Sequence, residues 1–455
     1  MGPGGLPGLQ NRWRVALRAA VGSTPIHSRL VFPVQYPCFD FSLFDHLLID
    51  MLPVETEQLT SIVSRYMVID DYTVGDAKKG YLVRYRGKLR DQDSEMAYDQ
   101  IASTLRAQDI TPLFRREKDR HVILLVPGII RAGRSKVWVN IALFIATVLS
   151  VLFAGTLYTL GGIYAGPATP SFQDMLPYIL ESLGGGLAFT VSLLAILLAH
   201  EFGHYLAGRY HKTHVTLPYF IPFPLSYFGT MGAFIQLKEP PRNKRILLDI
   251  GIAGPLAGLV IAIPVLILGL SLSQIGSIPT YLPAGSGLTI EGNSLLYLFS
   301  KFLVFGQLLP SPSDFGGLTP LAYWVRYFFT GQPLPLGGLD VMLHPVAWAG
   351  WAGLLVTALN LIPAGQLDGG HVIYVLFGKK AEVLLPFILV ALVMLGFFWP
   401  GWWLWAFLIF LLGRMHAEPL DQITSLDPQR RAVAILGLVV FVLVFTPVPL
   451  LSVGL

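Results

Sequence analysis

Two histidines four positions apart, with a glutamate directly after the first, stand at His200-Glu201-Phe202-Gly203-His204. On a helix, positions i and i+4 share one face. The two imidazoles can therefore hold one metal ion while Glu201 stands beside it as a general base for water. The motif follows the apolar run Leu193 to Ala199. A glutamate and two histidines are costly in hydrocarbon unless they are paired or bound to something. His200 lies six residues before the end of its apolar run at Leu206, about 9 Å into it. A hydrolytic centre at that depth has to bring water inside a membrane.

Zinc in hydrolytic sites takes three protein ligands and leaves a fourth position for water. The third should come from another apolar segment, and the candidates are Asp249, Asp368 and His371, with Glu181 and His344 at boundaries. Asp368 is the best of them. In Asn360-Leu361-Ile362-Pro363-Ala364-Gly365-Gln366-Leu367-Asp368-Gly369-Gly370-His371 a span ends at Pro363, and a carboxylate follows on a glycine-bracketed break. A second histidine pair, His211 and His214, falls beyond the span beside Arg209 and Lys212, which suits an interfacial role better than a metal. Asp249 opens a span near Arg245 and is expected to pair with it, while Gly254 and Gly258 suggest a helix-packing face.

The elements that must carry these residues are mostly apolar. Of 455 residues 53% are hydrophobic and 13% charged, too little charge for an ordinary soluble enzyme. The charge is also uneven: 34 of the 60 charged residues lie in the first 136 positions. Beyond them come apolar runs at Val137–Leu160, Leu183–Leu206, Ile246–Leu270, Val346–Ile362 and Ala432–Val453. A 31-residue uncharged run, Val383–Gly413, has a turn expected at Trp399-Pro400-Gly401. The pattern predicts a polytopic α-helical membrane protein of about seven spans, or eight if Ser294–Leu309, which carries Lys301, crosses rather than lying at the interface. Eleven basic loop residues fall on the side of the N-terminus, against Lys301 and Arg326 on the other.

Three regions are expected. Residues 1–50 form a basic arm, read as disordered, as a transit peptide, or as an upstream extension of a chain that starts near Met51. Residues 51–130 form a small soluble domain with the order αββαββ, in which Met96, Ile101 and Leu105 mark the buried face of the second helix. Residues 137–455 form the membrane domain. The basic residues make no stripe interleaved with aromatics, so anionic lipid is a simpler partner than nucleic acid. Cys38, the single cysteine, permits neither an intramolecular disulfide nor a cysteine-built zinc site.

With these motifs in place the chain resembles the site-2 protease family of intramembrane zinc metalloproteases. The resemblance rests on His200-Glu201-x-x-His204, on Asn360-x-x-Pro363 with Leu367-Asp368-Gly369, and on Ile250-Gly251-Ile252-Ala253-Gly254-Pro255-Leu256-Ala257-Gly258. The soluble N-terminal domain and the long insertion before Leu343-His344-Pro345 are most similar to the chloroplast ethylene-dependent gravitropism-deficient and yellow-green branch and its prokaryotic relatives. No PDZ-type gating module is recognisable.

The resemblance implies one Zn2+ per chain held by His200, His204 and Asp368, with Glu201 as catalytic base and Asn360 holding the substrate backbone or its developing oxyanion. It also implies that the uncharged segment Tyr227–Leu237 belongs to a re-entrant β-hairpin that adds a strand to an unwound substrate. Gly229, Gly232, Ala233 and Phe234 would then contact that substrate. Substrates would be transmembrane proteins, cut within or near their membrane segments. The implied location is a bilayer, either a bacterial plasma membrane with a cytoplasmic N-terminal domain or an organellar membrane. The alternative is an intramembrane metal-binding transporter or channel. Such a protein would distribute polar residues along several spans, whereas here they concentrate at two points.

Overall fold

The computed structural model describes residues 53–75, 80–129, 135–163, 171–281, 288–412 and 418–453. The basic arm 1–50 and the alternative start at Met51 lie outside them.

The N-terminal domain runs α1 (Pro53–Ser64), β1 (Met67–Val74), β2 (Val83–Leu89), α2 (Ser94–Leu105), β3 (Ile110–Glu117) and β4 (Arg120–Pro127). Its strands form an antiparallel sheet in the order β1-β2-β4-β3. Alternate residues point to the core along β2 and β3, where Val83, Tyr85, Leu89, Ile110 and Phe114 are buried with Leu59, Val63 and Ile101 of the helices. Asp93 caps α2, its side chain accepting from the Glu95 amide. The buried face of α2 is Ala97, Tyr98, Ile101 and Leu105. Met96 is 66% exposed, because it sits one position off the stripe.

Among the described residues three helices are long and apolar enough to cross a membrane: α3 (Val137–Ile163), α4 (Phe172–Tyr210) and α5 (Lys244–Ser271). Between α4 and α5 lies the hairpin of β5 (Tyr219–Pro222) and β6 (Thr230–Phe234). An insertion follows, made of β7 (Gln274–Ser277), β8 (Leu288–Glu291), α6 (Leu295–Phe305), α7 (Pro320–Thr330) and β9 (Leu339–Met342), with β7 paired to β9. Then come α8 (Pro345–Asn360), α9 (Asp368–Phe377), α10 (Leu385–Leu395), α11 (Gly401–Leu412), α12 (Pro428–Val444) and β10 (Leu450–Val453).

Helix α8 is apolar on every side because it is enclosed on every side: Ala347, Trp348, Trp351, Leu354 and Ala358 are all buried against α4 and α5. The apolar run that began at Ala432 does not continue as a helix to Val453. It stops at Val444, and residues 450–453 pair antiparallel with β8. Helix α6 has 11 residues, about 16 Å, and cannot by itself cross hydrocarbon of roughly 30 Å. Its Lys301 is fully buried, 3.9 Å from Glu291 and 3.8 Å from Asp340.

The N-terminal domain and the membrane helices belong to one compact unit. Segment 420–422 runs parallel to β3, the Phe114 amide donating to the Leu420 carbonyl and the Gln422 amide to that of Phe114. This covers an edge of the sheet. Arg245 clamps the junction, pairing with Glu95 at 2.6 Å and Asp93 at 2.9 Å. Asp249 therefore does not pair with Arg245. It takes Arg430 of α12 at 2.7 Å and His211, the C-cap of α4, at 2.9 Å, because helix packing brings both closer than the next turn of α5.

Candidate metal centre

His200 and His204 lie on neighbouring turns of α4 with their Nε2 atoms 3.2 Å apart. Asp368 opens α9 and brings Oδ2 to 3.4 Å from His200 Nε2 and 3.3 Å from His204 Nε2. The approach depends on the break after α8. Gly365 adopts φ 59°, and a Cβ on Gly369 or Gly370 would overlap the carbonyl oxygens of Leu361 or Gly365. The glycines that follow Asp368 thus let α9 start against the loop backbone.

This donor set fits zinc. Ligands placed tetrahedrally at about 2.0–2.1 Å from the ion lie roughly 3.3–3.4 Å from one another, and the three separations match. Two imidazole nitrogens and a carboxylate are also the donor types that zinc takes in hydrolytic sites. His204 Nδ1 donates to the Ile250 carbonyl at 2.7 Å, which fixes the proton on Nδ1 and leaves Nε2 for a metal. Among the described residues, His200, His204 and Asp368 are the group close enough to hold an ion together. Of the other sequence candidates, His344 caps α8, accepting from the Val346 amide, and Asp249 is taken by Arg430 and His211. Glu181 is exposed, and His371 packs beside Gly251.

Glu201 is buried, 4% exposed, and its Oε2 has no hydrogen-bond partner. It faces a 60 Å³ cavity lined with Leu197, Gly232, Ala233, Asn360 and Trp405. Asn360 Nδ2 lies 3.3 Å from His200 Nε2. The structure thus brings Glu201, Asn360, Gly232 and Ala233 to one cavity beside the candidate metal ligands.

Gly229 and Phe234 stand elsewhere. Gly229, at φ 73°, is where the hairpin docks on α3: its carbonyl accepts from Ser150 Oγ at 2.5 Å, and a Cβ would meet the Ser150–Val151 backbone. Phe234 stacks on Tyr219 across the hairpin. The hairpin itself is longer than the segment expected, since its first strand is Tyr219–Pro222. Phe228 at its turn rests on Trp348 and Trp351 of α8, which also stack on each other. Among the described residues β6 pairs with β5 alone.

The sequence reading missed two contributors. The Ile250 carbonyl carries no side-chain signal. Gly254 and Gly258 are legible as a packing stripe, but what packs there is His204 and His200, the candidate metal ligands. A Cβ on Gly254 would overlap the His204 ring, and one on Gly258 would sit 3.2 Å from His200 Cβ.

A buried glutamate beside two histidines and an aspartate, on a helix apolar enough to cross a membrane, is the arrangement that a membrane zinc metallopeptidase requires. Residues 188–397 match the model of peptidase family M50, so this part of the chain is similar to a site-2 protease domain. It is 31% identical over 338 residues to "Probable zinc metalloprotease EGY1, chloroplastic" of Oryza sativa subsp. japonica, covering 70% of this chain and 52% of the relative. The protein of the same name from Arabidopsis thaliana is 30% identical over 283 residues, 61% of this chain and 45% of the relative. "Probable zinc metalloprotease EGY2, chloroplastic" of Oryza sativa subsp. indica is 27% identical over 381 residues, covering 81% and 62%. The chain spans about half the length of the curated relatives it matches. No solved structure matches it. The family resemblance carried by the motifs, with its chloroplast branch, is borne out.

Proposed function

We propose that the chain is an intramembrane zinc endopeptidase that hydrolyses peptide bonds within or near transmembrane segments of other membrane proteins. The observation that carries this reading is the unpartnered Glu201 carboxylate, which faces the cavity shared by Asn360 and β6. His200, His204 and Asp368 would hold the zinc, which when bound supplies a Lewis acid that acidifies water and polarises a peptide carbonyl. Glu201 takes the proton of the attacking water and returns it to the leaving amine. Burial keeps its carboxylate free of competing donors. Asn360 aims an amide N–H into the cavity, where it can meet the carbonyl oxygen as charge develops. A helical substrate hides its carbonyls, so it has to unwind. The free edge of β6 offers backbone partners, with Gly232 and Ala233 leaving room for close approach.

The topology proposed with this function keeps the N-terminal domain on the positively charged side and makes the β5–β6 hairpin re-entrant. Of the about seven spans expected, helices α3, α4, α5, α8 and α12 cross in full. Helices α10 and α11, with 11 and 12 residues, or about 17 Å each, form a helical hairpin that returns to the side it left. The pairing of β10 with β8 supports this parity, since α12 then ends beside the insertion between α5 and α8. The chloroplast location in the relatives' names favours an organellar membrane over a bacterial plasma membrane for this chain.

The test uses two variants and a reporter transmembrane helix in proteoliposomes. Glu201→Gln should retain about one zinc per chain and lose cleavage, whereas His200→Ala should lose the metal. Cleavage that survives in Glu201→Gln would sink the mechanism. Metal flux without cleavage in the unaltered protein would favour a transporter.

A further inference from the structure

A second cavity, of 290 Å³, lies on the side of the N-terminal domain, apart from the metal centre. Lys244, Arg431, Thr424, Ser425, Val375 and Leu376 line it. Lys244 is the first residue of α5, Arg431 lies in the first turn of α12, and Val375 and Leu376 belong to α9, the helix that Asp368 opens. Among the described residues no carboxylate lines the cavity.

The surrounding cations behave differently. Arg242 faces Asp99, Arg245 faces Asp93 and Glu95, Arg115 faces Glu418, and Arg430 faces Asp249 and Asp427. Asp421, the nearest buried acid in sequence, is taken up by Ser94, Thr424 and the Ile423 amide. Lys244 and Arg431 have no ion pair or side-chain hydrogen bond among the described residues. Lys244, which feels the buried Asp421 carboxylate, and Arg431 together leave a net positive charge on one concave surface beside two hydroxyl-bearing residues.

Low-dielectric walls focus such a field on an anion. Lys supplies a point charge and Arg a planar fork, the pairing that suits phosphate oxygens. The volume is at the low end of the roughly 300–1,000 Å³ of small-molecule sites, room for a phosphoryl group on a small alcohol rather than for an extended nucleotide. Val375 and Leu376 give the apolar wall that the carbon skeleton of such an ester would touch.

We infer that this cavity binds a phosphate ester through Lys244 and Arg431, carried by an anionic lipid headgroup of the adjacent leaflet or by a small soluble molecule. The site joins α5, α9 and α12. Its occupant would bridge the helix that presents the Ile250 carbonyl and the helix that presents Asp368. It neither requires nor alters the proposed peptidase chemistry, and it is tested by binding alone.

The full chain is placed in nanodiscs of phosphatidylcholine, of phosphatidylcholine with phosphatidylglycerol, and of phosphatidylcholine with glycerol 3-phosphate in solution. Acylation of Lys244 by an amine-reactive reagent is read by mass spectrometry, and retained lipid by native mass spectrometry. Protection of Lys244 by phosphatidylglycerol assigns the lipid headgroup, and protection by glycerol 3-phosphate assigns the soluble ester. Where the lipid is the ligand, Lys244→Gln with Arg431→Gln lowers retained phosphatidylglycerol by about fivefold per charge removed, with zinc content unchanged. Equal acylation of Lys244 in all three preparations, together with equal lipid retention by the double variant, overturns the inference.

Discussion

His204 donates from Nδ1 to the backbone carbonyl of Ile250 at 2.7 Å, so the orientation of a candidate zinc ligand on α4 is set by the main chain of α5. No side-chain substitution removes that acceptor. What can be altered is the space that lets the ring reach it.

A methyl group on Gly254 would overlap the His204 ring, whereas one on Gly258 would touch His200 Cβ at 3.2 Å. Gly254→Ala should therefore weaken zinc binding by about 10–100-fold, as loss of an orienting partner does at other metal sites. Gly258→Ala should cost less. Zinc affinity by competition with a chelating dye checks the order, and equal affinities would show that the helices simply move apart.

Asp249 ties α12 to the C-cap of α4 through Arg430 and His211. Its side chain and that of Arg430 are about a quarter to a third exposed. Asp249→Asn should lower stability by on the order of 1–2 kcal/mol, with screening taken into account. Thermal unfolding in detergent at low and high salt measures it, and the loss should shrink as salt rises.

Glu291 gives a pH dependence. Burial first, then the neighbouring Asp340, push its carboxyl up to about 7 from an ordinary 4.5, against the pull of Lys301 and the Tyr297 hydroxyl. Between these values the folded chain keeps a proton that the unfolded chain has released. The stabilisation is complete below pH 4.5 and is lost as the pH rises through about 7. Over that window the fall should be on the order of 3–4 kcal/mol. Unfolding of Glu291→Gln should show a shallower fall over the same range, and an unchanged slope would assign it to other groups.

Lys301 is fully buried between the two acids. Lys301→Met removes the cation and leaves both carboxyls in place, which should cost about 3–5 kcal/mol. Coupling Lys301→Met with Glu291→Gln and Asp340→Asn should restore part of that stability. A triple variant no more stable than Lys301→Met would mean that the cost is one of packing.

Much of this was legible in the residues. Spacing placed His200 and His204 on one helical face, and the glycine-bracketed break singled out Asp368, because both are local patterns with a direct geometric meaning. The long apolar runs marked α3, α4 and α5 for the same reason. What spacing could not reach was partnership across the fold. The Asp249 carboxylate reads as a neighbour of Arg245 until α12 is packed against α5. Residues 450–453 read as the end of a span, since strand and helix share apolar composition and only β8 decides between them. Met96 recurs with Ile101 and Leu105 near helical spacing, yet the buried face of α2 runs through Ala97, Tyr98, Ile101 and Leu105 and leaves Met96 outside.

The strand-like segment that covers β3 comes late in the chain: Arg115 and Leu420, which it joins, are 305 positions apart. At about 5–20 residues per second, a ribosome needs roughly 15–60 s to supply the second after the first. Throughout that interval the N-terminal sheet carries an open edge, and α12, whose arginine fastens α5, does not yet exist. The nascent protein thus has a period of vulnerability at one end and lacks its full bracing at the other. Both end only once α12 has been made, so the closing of the sheet edge and the bracing of α5 are timed by translation.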